Sequence, residues 1–127
     1  MAAGTLGRQY PWGSEYQSGR ANIHETGLKY NVHLARTTAV GLYPTGKSPK
    51  EAFDLSGNVW EWCLNEYYKP DNIAPSGEEW RVLRGGSWLL NPDFACARVR
   101  YRFNPGIRSN DVGFRLLSES PILNADH

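Results

Sequence analysis

Cysteine is scarce: the 127-residue chain carries only Cys63 and Cys96, too few for a disulfide scaffold or a four-thiolate zinc site. No stretch approaches the ~20 consecutive apolar residues that cross a bilayer, so no membrane span is expected. The opening Met1-Ala-Ala-Gly-Thr-Leu-Gly-Arg8 has neither a basic nor an apolar segment. It therefore shows no secretory signal, and the cytoplasm is the default compartment. Excess charge of one sign is missing too. Fourteen Lys and Arg against thirteen Asp and Glu leave a formal net charge of +1, which removes the electrostatic basis for nucleic-acid binding.

Aromatics and chain breakers are abundant instead: five Trp, seven Tyr, four Phe, thirteen Gly and eight Pro. That mixture excludes a helix bundle and predicts a loop-rich fold anchored by large rings. Residues 1–127 read as one domain, with a core at about 8–118 and tails at 1–7 and 119–127. The only helix-like piece is Lys50–Leu55, stopped by Ser56-Gly57. Period-two alternation or β-branched composition predicts short strands at Arg36–Val40, Asn58–Cys63, Trp80–Arg84, Ala97–Phe103 and Val112–Leu117. The fold class is therefore α+β, with a small twisted antiparallel sheet and long irregular loops. Seven of the ten arginines follow residue 80, and internal carboxylates and carbonyls are their expected partners. Arg98, Arg100 and Arg102 alternate along one strand face, so at least one is expected to be buried against an acid.

Gly41-Leu-Tyr-Pro-Thr-Gly46-Lys47-Ser48 matches the letter of the phosphate-binding loop. Pro44 removes an amide from the cradle and Pro49 follows at once, so a surface turn is the expectation. His24 and His33 have no third ligand at metal spacing, and Cys63, in a tryptophan-rich strand, reads as a buried small hydrophobe. Asp54-Leu-Ser-Gly57-Asn-Val59-Trp-Glu61 is more informative. If Gly57, Val59 and Glu61 share a face, two carbonyls and a carboxylate converge and Asp54 closes an all-oxygen calcium site. The alternative is that Asp54 caps a turn and Glu61 pairs with an arginine from a later strand.

Gly57-Asn-Val-Trp-Glu-Trp62, Arg81-Val-Leu-Arg-Gly-Gly-Ser-Trp88 and Val112-Gly-Phe-Arg115, in that order, resemble the signature of the formylglycine-generating enzyme (sulfatase-modifying factor) family. Tyr10-Pro-Trp-Gly13, Ala21-Asn-Ile23 and Thr38-Ala-Val-Gly41 resemble its upstream blocks, so the similarity covers about residues 8–118. The resemblance implies a C-type-lectin-like fold, often calcium-bound, with ligands at Asp54, Gly57, Val59 and Glu61. It places a second calcium site at Asn22 and the Ile23 carbonyl, for which no acidic partner stands in Lys29–Thr38. The family's copper oxidases carry a cysteine pair at positions matching Leu90 and Ala95. Cys96 misses by one residue, so neither copper nor formylglycine formation is expected.

Arg100-Tyr-Arg-Phe-Asn-Pro105 resembles the sulfoxide synthases of thiohistidine biosynthesis, whose iron ligands lie in another domain. The family elements that usually precede Tyr10-Pro-Trp-Gly13 are missing, which makes the chain a minimal version or a fragment. Other relatives are variable proteins of diversity-generating retroelements, which bind ligands between a Gly-Gly-Ser-Trp and a Gly-Phe-Arg block. Here that interval is 89–111. Its mixture of rings and amides marks Leu89, Leu90, Asn91, Asp93, Phe94, Tyr101, Phe103, Asn104, Ile107 and Asn110 as a ligand surface for a protein or small molecule. The opposing expectation is that Tyr101, Phe103 and Ile107 fill the core. The reading is a calcium-stabilised, non-catalytic binding domain; the alternative is a fragment of, or accessory to, a formylglycine-generating or sulfoxide-synthase-type oxidase.

Overall fold

The computed structural model describes residues 7–27 and 32–118. Four strands form one small sheet in the order β3-β2-β1-β4: β1 is Trp60–Glu66, β2 Arg81–Arg84, β3 Tyr101–Phe103 and β4 Val112–Gly113. β1 pairs antiparallel with β2 (Trp62 opposite Leu83), and β2 pairs antiparallel with β3 (Leu83 opposite Tyr101). A register break between Trp62 and Glu66 bends β1. The sheet is nevertheless mixed, because β4 lies parallel to β1 with Trp60 opposite Val112. A parallel partner needs a crossover, and the chain supplies one by running through β2 and β3 first.

Among the described residues there is no α-helix, only short 3₁₀ turns at Pro44–Gly46 and Pro92–Ala95. The helix-like piece at Lys50–Leu55 does not form, since Glu51 and Asp54 take positive φ values of 62° and 53°, which no right-handed helix tolerates. Arg36–Val40 is not a strand either. Side-chain amides occupy its ladder groups: Asn22 Nδ2 donates to the Arg36 carbonyl at 2.8 Å. Asn58 accepts from the Thr38 N–H at 3.0 Å and returns a bond to the Thr38 carbonyl at 3.3 Å. The predicted Ala97–Phe103 strand begins only at Tyr101. Upstream of it the carbonyls of Ala97, Arg98 and Val99 all accept from Arg84 Nη1. The predicted Val112–Leu117 strand ends at Gly113, leaving Phe114, Leu116 and Leu117 exposed.

Two apolar centres hold these loops. Trp60, Val82 and Leu83 are buried in the sheet, while Tyr10, Ile23, Ala95 and Cys96 form a cluster packed by Trp12, Tyr16 and Val99. The second centre joins segments from opposite ends of the described chain: Ala97 N–H donates to the Gln9 carbonyl at 2.7 Å, and Tyr10 Oη to the Pro92 carbonyl at 3.2 Å.

Arginines do much of the remaining cross-linking, and chiefly through carbonyls. Arg20 donates to Thr45, Arg81 to Leu64 and Ser76, and Arg100 to Tyr67. The expected acid beside Arg98, Arg100 or Arg102 is absent among the described residues, where the ion pairs are Lys47–Glu51 and Glu61–Arg115. Arg98 is exposed and the other two half-buried; the buried arginine is Arg81. A planar fork serves carbonyl pairs from loops that present no carboxylate, which explains the substitution.

Buried carboxylates likewise find neutral donors. Glu25 accepts from Tyr16 Oη, Ser18 Oγ and the Gly19 N–H. Asp111 accepts from Ser87 and Ser109. Burial, reinforced by the hydrogen bond to Glu25, keeps the Tyr16 hydroxyl protonated far above its ordinary range.

Candidate cation and ligand sites

The turn Asp54–Val59 enters β1 through two left-handed residues, Gly57 (φ 77°) and Asn58 (φ 66°). Gly57 is obligatory: a Cβ there would stand 2.5 Å from the Asn22 carbonyl oxygen. Asn58 is the hub, taking the Asn22 carbonyl on its N–H at 2.8 Å and giving its own carbonyl to Trp88 at 3.0 Å. Asn22 is buried, and its Nδ2 donates to the Arg36 carbonyl and to Asn58 Oδ1.

Around this turn the four sequence-predicted cation ligands have different fates. Asp54 Oδ2 accepts the Gly41 N–H at 2.8 Å. No backbone N–H outside the sheet ladder donates to the Gly57 or Val59 carbonyl among the described residues. Glu61 meets Arg115, whose Nε lies 2.6 Å from Oε2 while Nη2 bonds Oε1. Arg115 also donates to the Phe53 carbonyl at 2.8 Å and the Asp54 carbonyl at 2.9 Å. The hydrogen bonds to Glu61 outweigh burial and raise the Arg115 pKa further.

The donor chemistry, two carboxylates and two carbonyls with no sulfur or nitrogen, suits a hard cation. Each carboxylate oxygen keeps a second lone pair beside its present partner. No cluster of three His, Cys, Asp or Glu stands anywhere among the described residues, so any cation here depends on carbonyls.

In the Gly41–Ser48 turn three amides that a phosphate cradle would need are already taken: Gly41 N–H by Asp54, Gly46 N–H by the Tyr43 carbonyl and Ser48 N–H by the Ala52 carbonyl. The histidines do meet. His24 and His33 stack with centroids 3.7 Å apart, beside Trp88, whose buried Nε1 has no partner among the described residues. Nothing in their spacing signalled this. Cys63 and Cys96 are free thiols. Burial is the main influence on Cys63 and raises its pKa, so it is not an activated thiolate. Leu90 is half-buried with its carbonyl on the His24 N–H at 3.0 Å, and Ala95 is buried in the second core.

Between Trp88 and Val112 much of the chain faces outward, although Ala95, Cys96 and Asp111 are buried. Leu89, Phe94, Tyr101 and Ile107 are 48%, 37%, 42% and 43% exposed. Asn91, Asp93, Asn104 and Asn110 are exposed, and Leu90 and Phe103 half-buried. Tyr101 leans on Trp60 with centroids 5.4 Å apart and meets Phe103 edge-on. Asn91 and Asn104 spend their Oδ1 atoms on the turns Asn91–Asp93 and Asn104–Gly106. Sequence reasoning passed over Tyr67, Tyr68 and Trp80, which surround Arg102. Their separation from it in the chain carries no local signal.

The sequence profile of the sulfatase-modifying factor enzyme 1-like domain matches residues 1–120. The mouse (Mus musculus) inactive C-alpha-formylglycine-generating enzyme 2 is 35% identical over 126 residues, which cover 92% of this chain and 39% of that protein. The hercynine oxygenase of Mycobacterium tuberculosis is 31% identical over 119 residues, 86% of this chain and 27% of the enzyme. Among solved structures, Treponema denticola variable protein 1 superposes with a TM-score of 0.69 at 26% identity, over 89% of this chain and 41% of that one. The chain thus spans well under half the length of these relatives.

Proposed function

Because the chain belongs to the sulfatase-modifying factor enzyme 1-like family, we propose that it uses that scaffold to bind a protein or small-molecule ligand rather than to oxidise cysteine. The observation that carries this reading is that Leu89, Phe94, Tyr101 and Ile107, all between Trp88 and Val112, face outward, with Tyr101 stacked on the buried Trp60. Rigid rings over a fixed base give contact area at small entropic cost. The similarity to an inactive formylglycine-generating enzyme and to a variable protein supports it. So does the side-chain chemistry of Leu90 and Ala95, which offer no thiolate where the resemblance puts the oxidases' copper ligands. The similarity to a hercynine oxygenase favours the second reading, a part of an oxidase.

One assay can overturn the first reading. The chain should not convert a sulfatase-type cysteine peptide to formylglycine or retain stoichiometric copper(I), and turnover would overturn the reading. On the binding side, display selection against a peptide library should yield ligands that lose binding when Leu89, Asn91, Phe94 and Asn104 are replaced. Retained binding in that variant would make residues 89–111 scaffold.

Calcium at Asp54, Gly57, Val59 and Glu61 is the stabilising half of the proposal. A cation bound only by the folded state at a hundred times its Kd adds about 2.7 kcal/mol, worth roughly 10 °C in a domain of this size. Chelation should lower the melting temperature by that order, and Glu61→Gln should remove the response. If Arg115 alone neutralises Glu61, chelation changes nothing while Arg115→Ala still lowers the melt, and the calcium reading fails.

A further inference from the structure

On the face of β3 opposite Tyr101 and Phe103, Arg102 points among three rings. Its guanidinium carbon lies 5.1 Å from the Tyr67 centroid, 5.3 Å from Tyr68 and 5.3 Å from Trp80. Arg100 stands 4.8 Å from the same Tyr67 ring and donates to the Tyr67 carbonyl at 3.0 Å. The rings are themselves fixed: the Tyr67 N–H bonds the Trp80 carbonyl at 2.7 Å, and Tyr67 meets Tyr68 edge-on at 5.3 Å. Cation–π contacts of this kind orient a guanidinium by its face and leave its N–H edge unused. No carboxylate or carbonyl among the described residues accepts from Arg102, and Glu78 and Glu79, next to Trp80 in the chain, form no ion pair there. The patch is open, with Tyr68 65% and Trp80 43% exposed.

We propose that the Arg102 fork on the Tyr67–Tyr68–Trp80 face is a docking site for an acidic segment of a partner protein. Charge complementarity selects the occupant, because Arg100 and Arg102 bring two positive charges to the Tyr67 ring and neither is ion-paired among the described residues. A carboxylate matches the free bidentate edge. Nucleic acid is the weaker match, since bases need open ring faces and Tyr67 already carries two guanidinium groups. Trp, Tyr and Arg are also the residue types that dominate protein-binding hot spots. Arg102 lies on the β3 face opposite Tyr101 and Phe103, and the proposal does not depend on the ligand surface proposed above.

Fluorescence anisotropy of the full chain with a short fluorescein-labelled peptide of alternating glutamate and tyrosine tests it, alongside the glutamine analogue and a single-stranded RNA of matched length. The acidic peptide should bind more weakly as salt rises, and the glutamine analogue should not bind. Arg102→Ala should weaken binding about tenfold or more, and Arg102→Lys should not restore it, because an ammonium cannot offer the fork. Tyr68→Ala alters an exposed ring that folding does not need and should weaken binding by loosening Arg102. Replacing Leu89 and Asn91 should leave the affinity unchanged. The proposal is overturned if wild type ignores the peptide, if Arg102→Ala binds as well as wild type, if the Leu89 and Asn91 changes weaken binding equally, or if RNA binds in preference.

Discussion

Gly46→Ala should cost about 3 kcal/mol or more in urea denaturation, while Gly41→Ala, at the other end of the same eight-residue motif, should cost about 1 kcal/mol. A Cβ at Gly46 would overlap the Arg20 carbonyl oxygen, a backbone atom that cannot turn away. Arg20 is held in place from the same turn, since its Nη1 donates to the Thr45 carbonyl at 2.8 Å. Gly41 has a positive φ of 79° but open space around it, so only the conformational penalty applies there. Were the motif a phosphate cradle, both substitutions would act on ligand binding; here the larger one acts on folding. Equal, small losses would show that the Arg20 and Gly46 backbones do not touch.

Trp60→Ala is the second large effect, about 3–5 kcal/mol, with Trp60→Phe losing much less. Trp60 is 2% exposed, starts β1 opposite Val112 and supports Tyr101 from beneath. Its loss removes core volume and the base of the proposed ligand surface together. Urea melts of both variants check the energies, and near-ultraviolet circular dichroism checks whether Tyr101 loses its fixed environment. A Trp60→Ala protein within about 1 kcal/mol of wild type would mean that the sheet does not depend on this ring.

The parts of this fold that could be read in the sequence were those written in neighbouring residues. β1 and β2 announced themselves by alternation and by the Gly85-Gly86 stop, and the blocks around Trp60, Arg81 and Val112 carried the family. Elements decided by distant partners stayed hidden. Arg36–Val40 looks like a strand until Asn22 and Asn58 take its backbone groups. Lys50–Leu55 looks helical until Glu51 and Asp54 turn left-handed. Glu61 was legible as a charge between tryptophans that needed a partner, and Arg115 was one of the later arginines already weighed for it. The Arg102 environment was illegible because its rings come from two other segments of the chain.

The bonds from Gln9 to Ala97 and from Tyr10 to Pro92 also set the timing of folding. The centre built from Tyr10, Ile23, Ala95 and Cys96 cannot close until the chain has been made past its last member. Synthesis runs at about 5–20 residues per second, so the early rings wait several seconds without their partners. Loop closure over such a separation comes late and slowly. A nascent chain of this domain therefore exposes Tyr10, Trp12 and Tyr16 to whatever surrounds the ribosome, and any truncation before residue 95 leaves them so permanently.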